Sequence, residues 1–195
     1  MARKGLNREF IINQAVFMIE ETGFENFSMH SLAKRMGVKT ASLYNHIQNI
    51  DELYGEVGIN SSKKMGVALS KEIEGRDKET AVMEVAAAYR RFVKNHTELY
   101  EAIMYLPQVG ETYVQKSSFF LLTPIMRMLS MYNLSDKKKL HLQRIFRAIM
   151  HGFLAQEKAG FFSQTSIDCE ESYCIAISAF IEQLKKMEDA KDERG

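Results

Sequence analysis

A single glycine between two short apolar stripes constrains this 195-residue chain more than any other feature of its sequence. Ser28 precedes the first stripe and can cap a helix, because its hydroxyl can accept a backbone N–H of the first turn. Gly37 follows that stripe, and glycine adopts the left-handed conformation that ends a helix at least cost. Leu43 and Ile47 then lie four residues apart, as on one side of a second short helix. Residues 28–47 therefore predict a helix-turn-helix with a polar outer face.

Further helices are predicted on both sides of this segment. Asn7 can cap a first helix that ends at Gly23. Asn49 and Glu52 have the spacing of a capping box, and residues 49–74 are predicted to form one long helix. At 1.5 Å per residue this helix would span about 38 Å.

These motifs together resemble the DNA-binding domain of the tetracycline-repressor (TetR) family of bacterial transcription regulators. The matching residues are Ser-x-x-x-Leu-Ala-x-x-x-Gly-Val at 28–38, Ser42-Leu43-Tyr44-x-His46-Ile47 and Asp51-Glu52-Leu53, and the likeness extends upstream through 7–24. Ile47 stands where the family often has Phe. Ile50 stands where it often has Lys, which removes one expected phosphate contact.

The resemblance implies that the second short helix reads DNA in the major groove. Lys39, Thr40 and Ala41 lie at its N-terminal end, from which base edges are reached. The family motif implies that Tyr44 and His46 contact phosphates, which positions the helix without specifying sequence. Partial burial of Tyr44 and a merely solvated His46 are the alternatives. Further DNA-binding candidates are Ser28, His30, Ser42 and Asn45.

The charge distribution is compatible with this interpretation although the net charge is only +1. Basic residues concentrate in the first forty positions: Arg3, Lys4, Arg8, Lys34, Arg35 and Lys39. A local basic face is sufficient for phosphate contact. Residues 1–6 are expected to form a flexible basic arm, with an ordinary solvated terminus as the alternative.

The rest of the chain predicts an all-α fold of about nine helices, three in front and six behind. We expect a DNA-binding domain at residues 1–48 and a helical ligand-binding and dimerisation domain at 49–195. Only two prolines occur; Pro107 should close a short helix capped by Thr97, and Pro124 should kink or split the next.

Residues 147–162 resemble a Trp-His-Gly-type motif of one TetR C-terminal subfamily. Met150 stands in the position of the Trp, and His151 and Gly152 match. The likeness implies that this part of the chain binds a ligand and forms the dimer. Two helices per subunit, 136–159 and 168–187, could form a four-helix bundle between two copies, unless their apolar stripes are internal core.

A small hydrophobic or aromatic effector is expected in the C-terminal part, because aromatic and Met-rich linings suit such ligands. The candidate ligand-binding residues are Tyr89, Phe92, Met104, Tyr113, Phe120, Met126 and His151. Aromatic residues at helical spacing more often form ordinary core, and the alternative for His151 is a hydrogen-bonded core histidine.

No catalytic or metal-binding motif is recognisable, so we predict neither an enzyme nor a cofactor. Cys169 and Cys174 are five residues apart without a nearby His pair, which does not make a zinc site. The longest apolar run, Phe119–Leu122, is far shorter than the ~20 residues of a membrane span. The N-terminus lacks the apolar core of a secretory signal, so a cytoplasmic protein is expected.

The function predicted from the sequence is therefore a homodimeric repressor that binds a palindromic DNA operator and is released by a small molecule. The alternative is a helical protein-interaction module, or a ligand-binding protein, that does not bind DNA. The near-neutral charge and Ile50 would fit that alternative.

Overall fold

The computed structural model describes residues 6–163 and 166–190, which form nine α-helices and no strand. Their bounds are α1 Arg8–Thr22, α2 Met29–Met36, α3 Thr40–Tyr44, α4 Ile50–Lys71, α5 Lys78–Asn95, α6 Thr97–Val109, α7 Glu111–Leu129, α8 Asp136–Lys158 and α9 Cys169–Asp189. The all-α prediction and the predicted number of helices are confirmed for these residues. Arg3 and Lys4 of the expected basic arm lie outside them.

Contacts between residues group the chain into two compact units. The first unit comprises Met1–Met65 and Lys94–Leu121, and the second comprises Gly66–Val93 and Leu122–Gly195. A boundary between domains at residue 48 stays a prediction.

The predicted caps of the first helices are present. The Asn7 side chain accepts the backbone N–H of Phe10 at 2.8 Å. Ser28 caps α2 and shares a reciprocal capping box with Ser31. Gly37 ends α2 with φ of 67°, a left-handed conformation that residues with a Cβ rarely adopt.

Apolar side chains from α1 to α4 and from α6 form the core of the first unit. Ile11 and Ile19 of α1 and Leu32 of α2 are completely buried. Leu99 of α6 is completely buried in the same cluster. Because a Leu or Ile that is removed from water contributes about 1.5–3 kcal/mol, this cluster stabilises the positions of the first helices strongly.

The prolines do not end helices where the sequence suggested. α6 continues past Pro107 to Val109, and its N-cap is His96, not Thr97. α7 remains one helix through Pro124 and is not split. A proline removes only one i→i−4 hydrogen bond, and buried Ile125, Met128 and Leu129 hold the turns that follow Pro124.

A buried arginine organises the second unit. Arg90 of α5 is bound by Glu157 of α8 and Glu170 of α9. Its guanidinium lies 5.7 Å and 5.1 Å from the ring centroids of Phe153 and Tyr173. One side chain of α5 thus joins α8 and α9.

Candidate nucleic-acid interface

The packing of α2 against α3 determines which residues of the reading segment face outward. Leu43 of α3 and Ile47 just after it are almost completely buried. The backbone N–H of Val38 donates to the carbonyl of Ala33 at 3.0 Å, which closes the turn after α2. With its apolar side buried, the five-residue α3 presents its other side to solvent.

The predicted base-reading residues lie together at the N-terminal end of α3. Lys39 is the N-cap residue, is exposed, and makes no capping hydrogen bond through its side chain. Ala41 is exposed and Thr40 is half-buried. An ammonium, a hydroxyl and a methyl group are the chemical types that contact guanine edges and thymine methyls.

The predicted phosphate-contacting residues lie at the C-terminal end of the same segment. Half of the Tyr44 side chain, 50%, is exposed, although aromatic side chains are usually buried. Asn45 is exposed, whereas Ser42 and His46 are half-buried. Tyr44 and Asn45 are therefore accessible without rearrangement of the backbone.

At the start of α2 the two candidates differ in availability. His30 is exposed in the first turn. The Ser28 hydroxyl accepts the backbone N–H of Ser31 at 3.1 Å and lies 2.8 Å from the Ser31 hydroxyl. The Ser28 hydroxyl therefore caps α2, as the sequence predicted.

Two of the basic residues counted in the sequence are occupied by carboxylates of the same unit. Arg8 donates to Glu52 at 2.7 Å and to Glu56 at 2.9 Å, and these hydrogen bonds raise the Arg8 pKa. Arg35 is bound by Glu21, which raises the pKa of Arg35 and lowers that of Glu21.

The remaining described basic residues of this segment are Lys34 and Lys39. Both are exposed, and neither forms an ion pair with another residue in the described ranges. The positive charge that can face DNA is therefore smaller than the sequence count suggested.

Ile50 replaces a lysine that the family often has near the start of α4, and its environment explains the change. Ile50 is half-buried and packs against the core of the first unit. Beside it, the Asn49 side chain accepts the backbone N–H of Glu52 at 2.8 Å, and Glu52 accepts that of Gln48 at 2.5 Å. The predicted cap of α4 is thus present.

Contacts from α6 and from the residue before it hold the end of α1, and the sequence pattern did not predict them. The Glu98 carboxylate of α6 accepts the backbone N–H of Phe24 at 2.7 Å. The Glu20 carboxylate of α1 accepts a hydrogen bond from the Lys64 ammonium at 2.9 Å. It also lies 2.7 Å from the His96 ring nitrogen Nδ1. These partners are more than forty residues apart, so no local sequence signal could reveal them.

The candidate ligand-binding residues are divided between the two units. Tyr89, Phe92, Met126 and His151 belong to the second unit, and Met104, Tyr113 and Phe120 belong to the first. Tyr89 and Phe92 are buried, Met126, Tyr113 and Phe120 are half-buried, and Met104 and His151 are exposed. Their role in binding a ligand stays a prediction.

Within residues 6–163 and 166–190, no group of three or more His, Cys, Asp or Glu side chains could hold a metal ion. None of the helices described there is both long and apolar enough to cross a membrane.

Comparison with known proteins supports the interpretation of both parts of the chain. Residues 11–57 match the model of the bacterial regulatory proteins of the tetR family. Residues 82–180, slightly more than half of the chain, match the tetracyclin repressor-like C-terminal domain.

Individual relatives and a solved structure agree with these matches. Rv0681 of Mycobacterium tuberculosis, an uncharacterized HTH-type transcriptional regulator, is 27% identical over 164 residues, covering 84% of this chain and 75% of its own. YobS of Bacillus subtilis, named likewise, is 25% identical over 182 residues, with 93% and 94% coverage. The TetR family protein ActR of Streptomyces coelicolor, in complex with (S)-DNPA, has a similar fold (TM-score 0.68, 18% identity, 95% and 99% coverage).

The matches to the family models cover both the helix-turn-helix and the helices that follow it. The helix caps, the glycine turn and the buried apolar residues of this chain are those that such a domain requires. The predictions of a transcription regulator and of a chain that is not an enzyme are confirmed. The chain belongs to the tetR family of bacterial regulatory proteins.

Proposed function

We propose that this regulator is a repressor that binds a palindromic operator as a homodimer and leaves it when a small molecule binds. The observation that supports the proposal best is the orientation of α3. Its apolar side, Leu43, is completely buried, while Lys39, Ala41 and Tyr44 are exposed along one short segment. A segment with this arrangement can enter a major groove, which is about 12 Å wide.

In this proposal the two ends of the segment have different tasks. Lys39 donates to guanine O6 and N7, and Thr40 and Ala41 contact thymine methyls or base edges. Tyr44 and His46 donate to phosphates on one side, and His30 reaches phosphates from the start of α2. Ser42 and Asn45 complete the surface.

A homodimer is required because a single reading segment covers few base pairs. Two copies can bind half-sites whose centres are about 34–36 Å apart, or a multiple of this distance. The outward sides of α8 and α9 suit a contact between two copies. Ile145 and Ala148 of α8 and Ile175 and Ala179 of α9 are exposed at helical spacing. Small and apolar residues there allow two pairs of helices to pack closely.

The effector is proposed to be a small hydrophobic or aromatic molecule. The crystal structure of ActR, which has a similar fold, is of a complex with (S)-DNPA, and this supports a ligand-binding role for the present chain. The candidate effector-binding residues in the second unit are Tyr89, Phe92, Met126 and His151. His151 also matches the Trp-His-Gly-type motif, and membership of that subfamily stays a prediction. Preferential binding to one of two conformations is the thermodynamic requirement for release.

Selection of DNA fragments from a random pool by the full chain tests the proposal most directly. We expect a palindromic consensus whose affinity falls steeply as salt increases. Candidate aromatic compounds are then tested for release of the chain from the selected fragment. Recovery of sequences without any consensus, or without inverted symmetry, would contradict the proposal.

A further inference from the structure

An open cleft of about 470 Å³ lies between α1, α4 and α7 of the first unit. Its volume is within the range of roughly 300–1,000 Å³ that small-molecule sites have. We propose that this cleft binds a neutral, flat aromatic molecule that carries hydrogen-bonding groups at its edge. The inference goes beyond the proposed repressor function, because of the candidate effector residues only Phe120 lines the cleft.

The apolar part of the lining suits a flat ring. Ile12 contributes from α1, Ile59 from α4 and Phe120 from α7. Ile12 is 8% exposed, and the other two side chains are half-buried. One aromatic and two branched aliphatic side chains thus supply the apolar part of the lining, on which an aromatic ligand can stack or lie edge-to-face.

Two asparagines supply hydrogen-bonding groups that the protein itself leaves unused. Asn13 of α1 and Asn60 of α4 line the cleft, and neither side chain makes a hydrogen bond to another residue of the described chain. Each side-chain amide offers one acceptor oxygen and two N–H donors. A half-buried amide such as Asn60 gains from a ligand that satisfies it, so the ligand should carry donors and acceptors at its edge.

The charges around the cleft favour a ligand without net charge. Arg8 and Glu56 bind each other at 2.9 Å, so neither attracts a further ion strongly. Glu9 and Lys63, which have opposite charges, also line the cleft. An anion would be attracted by one of them and repelled by the other, and it would lose hydration against the apolar wall.

The position of the cleft gives such a ligand a route to the reading segment. Two of its walls belong to α1 and α4, whose apolar residues share one core cluster with α2 and Leu43 of α3. A ligand that bridges Asn13 and Asn60 therefore acts on the body that carries α3.

Titration of the ¹⁵N-labelled full chain with 2-naphthamide, followed by NMR, tests the proposal. The isosteric anion 2-naphthoate serves as the charged comparator. We expect saturable shifts of the backbone amides of residues 9–13 and 56–63, and at least roughly tenfold weaker binding of the carboxylate. Saturable shifts only outside these segments, no saturable shift, or equal affinity for the carboxylate would overturn the proposal.

Substitution of the two amides separates specific binding from adventitious stacking. The double variant Asn13→Leu, Asn60→Leu should bind 2-naphthamide roughly tenfold more weakly, because two neutral hydrogen bonds are lost. Asn95→Leu makes the same change at an exposed asparagine that does not line the cleft, and it should bind like the parent. If the double variant does not fold, Asn13→Leu alone changes an exposed residue and should still weaken binding; unchanged affinity would sink the proposal.

Discussion

The guanidinium of Arg90 donates two parallel hydrogen bonds to the carboxylate of Glu157, at 2.7 and 2.9 Å, although only 4% of the arginine side chain is exposed. A third hydrogen bond, from Nε at 2.9 Å, goes to Glu170. The planar fork of an arginine matches a carboxylate in a way that a lysine ammonium cannot. This buried charge is therefore a specific link between α5, α8 and α9.

Replacement of Arg90 should destabilise the protein. Arg90→Ala removes the guanidinium that binds Glu157 and Glu170, and we expect the free energy of unfolding to fall by about 2–4 kcal/mol. Arg90→Lys retains the charge without the fork and should have an intermediate effect. Arg91→Lys is the control, since Arg91 is 56% exposed and binds Glu72 at the surface. Urea unfolding measures all three, and equal effects of the changes at 90 and 91 would show that the buried link is unimportant.

A methyl group at Gly58 should not fit. An added Cβ would lie 2.5 Å from Leu106 Cδ2 and 2.8 Å from the carbonyl oxygen of Ala102, and a backbone atom cannot move away easily. We expect Gly58→Ala to lower stability by about 1–3 kcal/mol, although alanine favours helix. Val67→Ala on the exposed side of the same helix serves as the control, with a change within about 0.5 kcal/mol. A more stable Gly58→Ala variant would show that α4 and α6 do not pack this closely.

Simultaneous replacement of Tyr44 and His46 should weaken binding to all DNA sequences alike. Each hydrogen bond to a charged phosphate contributes about 1.5–3 kcal/mol, so Tyr44→Phe with His46→Ala should cost at least roughly a hundredfold in affinity. Thr40→Ala should instead alter the preference among operator variants. Fluorescence anisotropy at fixed salt measures both effects. A double variant that binds as tightly as the parent would remove these residues from the phosphate-contacting set.

A charged residue at the outward side of α9 should separate the proposed dimer. Ile175 is 64% exposed in the single chain, and Ile175→Arg would place a charge in the four-helix contact. We expect a monomer by light scattering and a large loss of operator affinity. Val67→Arg, at an exposed apolar residue of α4, should leave the mass unchanged. An unchanged mass of the Ile175→Arg variant would place the dimer contact elsewhere.

The ion pair at the end of α1 should make stability depend on acid pH. Burial raises the pKa of Glu20, but the hydrogen bonds from Lys64 and His96 outweigh this effect, and the net pKa is lowered. A carboxylate whose pKa is lower in the folded state contributes stability above its unfolded pKa, about 4.3, and loses it as the pH falls through the folded value.

Glu20→Gln should therefore lose less stability between about pH 5 and pH 3 than the parent does. Glu25→Gln is the matched control, since Glu25 is exposed and pairs with no other residue in the described part of the chain. Parallel acid unfolding of the three proteins, followed by circular dichroism, measures the difference. Identical pH profiles for Glu20→Gln and the parent would contradict this assignment.

The helices and the reading segment could be predicted because their signals are local. Ser28, Gly37 and the spacing of Leu43 and Ile47 act within one or two turns of helix, so the sequence alone indicated the helix-turn-helix. The prolines do not have the effect that their local signal predicts. Pro107 and Pro124 remain inside helices because burial of later turns outweighs one lost hydrogen bond.

The ends of the helices near the reading segment, and the apolar side that each helix buries, are thus predictable from sequence, because caps and periodicity depend on neighbours along the chain. Which basic side chains remain available for DNA depends on the folded arrangement, since Arg8 and Arg35 are neutralised by carboxylates 44 and 14 residues away. The folded arrangement also explains two of the glycines of α4. A Cβ at Gly55 would lie too close to the Tyr113 ring, and a Cβ at Gly58 would lie too close to Leu106. Coulomb attraction and steric exclusion act through space, so the available charges and the positions that require glycine follow from the way the helices pack.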